Sequence, residues 1–283
     1  MSHCARVDAR CGRCDGPLPF DFSMAFQPIV DTRRARIVAY EALVRGPRGE
    51  SAHSVLSQVT KDLLYRFDQA CRVRAIELAS ALGMQETLSI NFLPNAVYDP
   101  EACIQSTLEV SERVGWPGER LIFEITETER VLDRRHLRDI IDTYRSMGFA
   151  TAIDDFGNGY ANLDLLTDLR PDKLKIDREL IMGCDQDTRR QALIRSIMSL
   201  AVELGIEPVA EGVETRNEAI WLSRLGITHQ QGFYFARPAL EALCSGLTDK
   251  LNALRDAVAT STEAPRCPAT RTRMSRRVYS WFR

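Results

Sequence analysis

The sequence predicts an α/β fold, a modified TIM (β/α)8 barrel whose first strand runs antiparallel to the second. Eight apolar runs of strand length recur along the chain, and helical patterns separate most of them, which indicates βα units and a closed parallel sheet. Only six residues, Asp31–Arg36, separate the first two runs. A parallel crossover requires about a dozen residues, so this pair is predicted to form an antiparallel hairpin.

The predicted elements follow one another in regular order. The strands are expected at Met24–Val30, Ile37–Leu43, Leu88–Phe92, Leu121–Thr126, Ala150–Asp154, Lys173–Asp177, Pro208–Ala210 and Thr228–Phe235. The helices are expected at Ser54–Leu82, Pro94–Val114, Glu129–Met147, Ala161–Leu166, Arg178–Leu204, Arg216–Leu225 and Leu240–Val258. Glycine follows several of these helices directly, at the position where helices commonly end in the left-handed conformation.

Size and composition fit one globular barrel with short appendages. The chain has 283 residues, 45% of them hydrophobic and 27% charged, and its net charge of −2 favours no specific nucleic-acid partner. No apolar run reaches the roughly 20 residues of a membrane-spanning helix, so a cytoplasmic protein is expected. We predict a Cys-containing extension at residues 1–23, a barrel at 24–258 and a basic, disordered tail at 259–283.

Polar side chains mark the C-terminal ends of the predicted strands, where barrels of this class gather their reactive groups. From the second strand to the eighth they are Glu41, Asn91, Glu124, Asp154 with Asp155, Lys175, Glu211 and Gln231. In the fourth strand Glu124 shares a face with Ile122 and lies opposite Phe123, because successive side chains of a strand alternate. This alternation predicts that the polar groups point into the barrel.

Such a set of carboxylates predicts a metal centre. Oxygen ligands suit hard cations such as Mg²⁺ or Mn²⁺, and adjacent Asp154 and Asp155 could serve two ions, with one aspartate bridging them. Two metals about 3.5–4 Å apart are a common device for displacement at phosphorus, and Lys175 would add a positive charge. A single acid at a strand end is more often a surface or capping group, but repetition over seven consecutive strands favours the metal centre.

Eight short motifs around these residues occur in one order along the chain. They are Gln27–Val30, Glu41–Arg45, Ile90–Phe92, Glu124–Glu127, Asp154–Tyr160, Leu174–Asp177, Glu211–Glu214 and Gln231–Phe233. Each motif alone is weak, whereas the ordered set is specific. Over about residues 24–245 the chain resembles the EAL-domain family of bacterial cyclic di-GMP phosphodiesterases.

The resemblance implies an enzyme that hydrolyses one phosphodiester of cyclic di-GMP to linear pGpG with two Mg²⁺ or Mn²⁺ ions. It implies that Glu41, Asn91, Glu124 and Asp154 hold the first metal, and that Asp154, as the bridge, and Asp155 hold the second. Glu211 would act as general base or assist the second metal, and Lys175 would hold the nucleophilic water.

Further roles follow from the same resemblance. Glu214 and Gln231 would complete the pocket, while Gln27 and Arg45 would contact the dinucleotide. Glu127 is similar to the glutamate that anchors the loop after the fifth strand, a loop that relays dimerisation and regulatory signals to the metal site. A homodimer is therefore expected.

That loop departs from the family's usual sequence. Asn158 stands where threonine is common, and Ala161-Asn162 stand where two serines are common. These departures concern regulation more than chemistry.

The two termini carry weaker signals. His3, Cys4, Cys11 and Cys14 could form a structural Zn²⁺ site with Cys-x-x-Cys spacing. One such pair is a weak signal, and incidental thiols in a disordered segment are the simpler interpretation. The basic tail, 259–283, could contact an anionic membrane surface, but a solvated extension is the simpler interpretation.

Two other functions remain open from the sequence. A non-catalytic receptor or interaction module could keep the fold without turnover, yet no expected ligand or base is missing. A barrel metalloenzyme that acts on another phosphodiester would use the same types of ligand.

Overall fold

A computed structural model describes residues 6–7, 10–11, 16–94, 97, 99–126, 134–158 and 163–260. The barrel strands are β1 (Ser23–Asp31), β2 (Arg36–Arg45), β3 (Thr87–Asn91), β4 (Leu121–Thr126), β5 (Ala150–Phe156), β6 (Lys173–Ile176), β7 (Glu207–Ala210) and β8 (His229–Gln231). A two-residue strand, β9 (Ala239–Leu240), pairs with β1 at Ala25 and Phe26. A short antiparallel pair of strands, Arg6–Val7 with Arg10–Cys11, precedes the barrel.

Helices occupy most of the connections between these strands. They are α1 (Ala52–Leu56), α2 (Leu64–Ala81), α3 (Pro100–Val114), α4 (Arg134–Ser146), α5 (Leu163–Leu169), α6 (Arg178–Ile181), α7 (Thr188–Leu204), α8 (Arg216–Leu225) and α9 (Thr248–Thr260). A 3₁₀ turn at Gly118–Arg120 leads into β4.

The sheet closes into a mixed eight-stranded barrel. Strands β2 to β8 lie side by side in parallel, and β1 closes the ring by pairing antiparallel with both β2 and β8. The register places Gln27 opposite Glu41 and Ile29 opposite Gln231. The predicted fold class and the predicted antiparallel first pair are therefore confirmed.

Strand β4 shows why the inner and outer faces of the barrel differ. On the outer face the ring of Phe123 lies 4.9 Å from that of Tyr144 and 5.2 Å from that of Phe149, centroid to centroid. On the inner face Glu124 is buried in the lumen. Aromatic packing on the outer face of β4 therefore directs the side chain of Glu124 into the lumen.

Two predicted helices are interrupted. The stretch predicted at Ser54–Leu82 divides into α1 and α2. In the turn between them Thr60 donates a hydrogen bond to Asp62. Threonine and aspartate favour such a turn because their side chains form local hydrogen bonds that compete with those of a helix. The stretch predicted at Arg178–Leu204 divides at Gly183, which has a φ of 70°. Asp187 then caps α7 by accepting hydrogen bonds from the backbone of its first turn.

Two other predicted boundaries are displaced. The helix predicted at Pro94–Val114 begins only at Pro100, because Asp99 caps it. The helix predicted at Leu240–Val258 begins at Thr248, because Leu240 pairs with β1 and Glu241 turns the chain with a φ of 47°.

A buried ion pair lies within α2 and contacts the chain just after β3. Arg72 Nη2 lies 2.7 Å from Asp68 Oδ2, and the two side chains are 1% and 3% exposed. The other carboxylate oxygen of Asp68 accepts a hydrogen bond from Leu93 N at 3.0 Å. The pair therefore also holds the segment that follows β3.

Several predictions fall on residues that are not described. Of the proposed zinc ligands, His3, Cys4 and Cys14 lie outside the described residues, as does the side chain of Cys11. Glu127 and residues 261–283 of the tail also lie outside them. Among the described residues, Cys71, Cys103, Cys184 and Cys244 are free thiols. No helix within the described ranges combines the length and the apolar character needed to cross a membrane.

Candidate metal centre

Lys175 lies at the centre of a cluster of acids inside the barrel. Its side chain, on β6, is only 2% exposed. The distances from Nζ are 2.6 Å to Glu211 Oε1, 2.8 Å to Glu124 Oε2, 2.9 Å to Asp154 Oδ1 and 3.5 Å to Glu41 Oε2. Carboxylates from β2, β4, β5 and the end of β7 thus converge on one ammonium group.

Strand pairing brings polar neighbours to two of these acids. Asn91 pairs with Glu124 in register between β3 and β4, and its amide nitrogen donates a hydrogen bond to Glu41 Oε1 at 3.1 Å. One inward position earlier on β3, Ser89 Oγ donates to Glu124 Oε1 at 2.6 Å. Each donor orients one carboxylate and leaves its second oxygen toward Lys175.

The opposite wall of the site is built by two glutamines. Gln231 Nε2 donates hydrogen bonds to Glu41 Oε2 at 2.6 Å and to Gln27 Oε1 at 3.1 Å. Gln27 in turn donates to the carbonyl of Ala236 at 3.1 Å. The buried oxygen Gln231 Oε1 has no hydrogen-bond donor among the described residues, which is costly in a folded protein unless a ligand or water supplies one.

Crowding changes the acidity of the cluster. Burial, opposed by Lys175 and reinforced by Glu41 and Asp154, raises the pKa of Glu124 to about 8. Burial and then Asp154 raise the pKa of Asp155 to about 6, and burial and Asp154 also raise the pKa of Glu211 well above its usual range. Although burial lowers it, the surrounding carboxylates raise the pKa of Lys175 well above its usual value, so this side chain is an ammonium ion.

Two groups of acids have the spacing of metal ligands. One consists of Glu41, Glu124 and Asp154, the other of Asp154, Asp155 and Glu211, and within each group the ligand atoms lie within 4.8 Å of one another. Asp154 belongs to both groups. If all five carboxylates are ionised, they carry four negative charges more than the ammonium group of Lys175 offsets, and two divalent cations would balance these. The donor set therefore fits two hard cations that share Asp154.

Asp155 is held in a strained backbone conformation. Its φ is 56°, which L-residues other than glycine adopt rarely, and its backbone N–H donates to Asp154 Oδ1 at 3.0 Å. This conformation turns the chain sharply at the end of β5, so that both aspartates reach the same cavity.

A cavity of about 320 Å³ opens above the cluster. The predicted residues that line it are Gln27, Glu41, Asp154, Asp155, Glu211, Glu214 and Gln231. Asp177, Arg178 and Phe233 line it as well, although sequence reasoning did not name them as site residues. Asp177 could have been found, because it shares a strand face with Lys175, and so could Phe233, because it shares a face with Gln231 in the predicted strand Thr228–Phe235. Arg178 lies beyond a strand end, where alternation gives no signal.

Two predicted residues lie at the margin of the site. Arg45, at the end of β2, donates to the carbonyl of Val44 at 2.7 Å and does not line the cavity. Glu214 is half exposed at the rim and forms an ion pair with Arg178, with Nη2 2.9 Å from Oε1. Within the described part of the chain, neither forms a hydrogen bond or ion pair with Lys175 or the acids around it.

A family model and several known proteins match the chain. The model described as EAL domain matches residues 20–238. The blue light- and temperature-regulated antirepressor BluF of Escherichia coli is 34% identical over 223 residues, which is 78% of this chain and 55% of that protein. Other relatives in the same organism are named probable cyclic di-GMP phosphodiesterases. The chain spans about half the length of these curated relatives.

Solved structures are also similar. A crystal structure of a standalone versatile EAL protein from Vibrio cholerae O395, in its c-di-GMP-bound form, is 51% identical with a TM-score of 0.79. The match covers 81% of this chain and 97% of that one. A manganese/cy-diGMP complex of BlrP1 from Klebsiella pneumoniae is 36% identical with a TM-score of 0.74, over 79% of this chain and 58% of that one.

Proposed function

The chain belongs to the EAL domain family, and on this premise we propose that it is a metal-dependent phosphodiesterase that hydrolyses cyclic di-GMP to linear pGpG. The observation that carries the proposal is the position of Asp154, which is shared by two acidic groups beside the buried Lys175. The similarity to structures that contain c-di-GMP, one of them with manganese, supports both the substrate and the metal dependence.

The proposed division of roles follows the family resemblance, and the spacing of the acids supports it. Glu41, Asn91, Glu124 and Asp154 would hold one cation, and Asp154 and Asp155 the other. Two divalent cations bound there would stabilise the negative charge that develops on the phosphate and its attacking oxygen.

Proton handling falls to the chain's own side chains. Lys175 would hold the attacking water through a hydrogen bond. Glu211, whose Oε1 lies 2.6 Å from Nζ of Lys175, would accept a proton from that water or help to hold the second cation. Gln27 and Gln231 would bind the dinucleotide at the opposite wall, Glu214 would complete the rim, and Arg45 would contact the substrate from the end of β2.

Hydrolysis tests the proposal directly. Purified protein would be incubated with cyclic di-GMP and Mg²⁺ or Mn²⁺, and pGpG would be quantified by chromatography. We expect turnover by the wild type and its loss in Glu41→Ala and Glu211→Ala. Glu207→Gln is the matched control, since Glu207 begins the same strand β7 that Glu211 follows, and it lies outside the metal cluster. Full activity of either alanine variant would contradict the assignment of the site.

The same assay separates the two alternatives. One relative is named an antirepressor, and this name is compatible with a non-catalytic module. Tight binding of cyclic di-GMP without formation of pGpG would establish that alternative. Hydrolysis of a generic diester such as bis(p-nitrophenyl) phosphate, with cyclic di-GMP left intact, would point to another phosphodiester substrate.

The remaining expectations stay predictions. They are the homodimer, which light scattering after size exclusion tests, the choice between Mg²⁺ and Mn²⁺, and the loop-anchoring role of Glu127. To these belong the cytoplasmic location, the domain boundaries, membrane contact by the basic tail, and a Zn²⁺ ion at His3, Cys4, Cys11 and Cys14, which metal analysis of the purified protein tests.

A further inference from the structure

Glu218 lies outside the cavity, and its buried carboxylate accepts three hydrogen bonds from backbone N–H groups. It lies in the first turn of α8 and is 3% exposed. Oε1 accepts from Gly183 N at 2.7 Å, and Oε2 accepts from Glu214 N at 2.9 Å and from Thr215 N at 2.8 Å. A neutral side chain could not accept all three bonds in the same way, because an amide has one acceptor oxygen.

The three donors belong to two different segments of the candidate site. Gly183 ends the segment that follows β6, and this segment carries Asp177 and Arg178 into the cavity. Glu214 and Thr215 belong to the segment that follows β7 and begins with Glu211. Glu218 is therefore a single group that joins two neighbouring strand exits.

The segments that follow β6 and β7 are also in close contact with each other. Gly212 has a φ of 63°, and a Cβ built on it would lie 2.4 Å from Cγ of Arg178. On its other side, Val213 N donates to the carbonyl of Gln231 at 3.0 Å. The position of Glu211 thus depends on how closely the segment after β7 is held to its neighbours.

We propose that Glu218 is a positioning residue for hydrolysis, which keeps Glu211 in place against Asp154 and Lys175. This inference rests on the proposed function. The competing explanation is that Glu218 only caps α8, since Thr215 Oγ1 accepts from Glu218 N at 3.2 Å and completes a capping box. A cap alone would contribute to folding and would leave the metal centre unchanged.

The test compares Glu218→Gln with Thr215→Ala in the full 283-residue chain. Misplacement of a site segment, like loss of a group that orients metal ligands, lowers activity or metal affinity by about 10–100-fold. For Glu218→Gln we expect kcat to fall by about that factor, KM to change less than about threefold, and the half-saturating Mn²⁺ concentration to rise about tenfold. Thr215→Ala removes the cap and should lower Tm by about 2–4 °C with kcat unchanged.

Each outcome decides the inference. Wild-type kcat and Mn²⁺ dependence in Glu218→Gln, with a Tm loss like that of Thr215→Ala, would show that Glu218 is only a cap. If Glu218→Gln does not fold, Glu218→Asp decides, because it keeps the charge but is too short to reach both segments. If the wild type itself lacks hydrolysis, the proposed function fails, and Mn²⁺ calorimetry without substrate still tests the inference. Weaker binding in the variant then supports positioning, and equal binding overturns it.

Discussion

Replacing Lys175 by methionine tests whether one ammonium group holds the acidic cluster together in the absence of metal. Methionine keeps the length of the side chain and removes its charge. In the variant, four carboxylates lie within 3.5 Å of the position that Nζ of Lys175 occupies in the wild type, where the lysine side chain is 2% exposed. Loss of one partner of a buried ion pair costs about 3–5 kcal/mol. Protonation of Glu124, whose pKa is already about 8, should keep the loss near the lower limit.

Melting curves measure this loss. At about 2–4 °C per kcal/mol for domains of this size, Lys175→Met should melt roughly 6–12 °C below the wild type in EDTA. Lys173→Met is the matched control, because Lys173 lies two residues earlier on the same strand and face. Its partner Glu207 is 47% exposed, and such a pair contributes about 1 kcal/mol or less.

Added Mn²⁺ gives the second half of the test. If the ammonium and the divalent cations neutralise the same charges, Mn²⁺ should raise the Tm of Lys175→Met more than that of the wild type. Hydrolysis should still be lost, because the variant cannot hold the attacking water. Equal melting losses for the two lysine variants in EDTA, or an equal gain with Mn²⁺, would refute this account of the cluster.

Two further predictions concern the scaffold. Hydrogen bonding from His229 and Lys173 lowers the pKa of Glu207 from 4.5 to about 2, so its stabilisation is present above pH 4.5 and is lost as the pH falls toward 2. In urea unfolding, Glu207→Gln should cost about 1 kcal/mol at pH 6 and progressively less toward pH 2.5; a constant difference would contradict this. Asp68→Leu and Arg72→Met should each cost about 3–5 kcal/mol, and the double variant should cost clearly less than their sum; additive losses would mean that the two side chains are not coupled.

The barrel could be predicted from the sequence because its signals are local. Alternation in β4 distinguishes the face of Glu124 from that of Phe123, and the six residues Asp31–Arg36 between the first two predicted strands exclude a parallel crossover. The strand ends then identify the acids as a set. The placement of Glu41, Glu124, Asp154 and Glu211 around Lys175 agrees with that prediction.

Features that depend on contacts between distant segments could not be predicted. Arg178 lines the cavity beside Gly212 of the segment after β7, and the two residues are distant in sequence. The bond from Gly183 to Glu218 connects residues 35 positions apart, and nothing in local spacing indicates it. The bonds from Glu214 and Thr215 are local, and the spacing of Thr215 and Glu218 is that of a capping box.

The reversed direction of β1 determines where the chain enters the barrel. Ser23 pairs with Arg45, at the same end of the sheet as the metal cluster, so the polypeptide arrives at the mouth of the cavity rather than at the opposite end. A domain fused ahead of β1 would accordingly be tethered beside the substrate entrance. A sensor joined there could influence access to the cavity through a short mechanical path, without a signal that crosses the barrel.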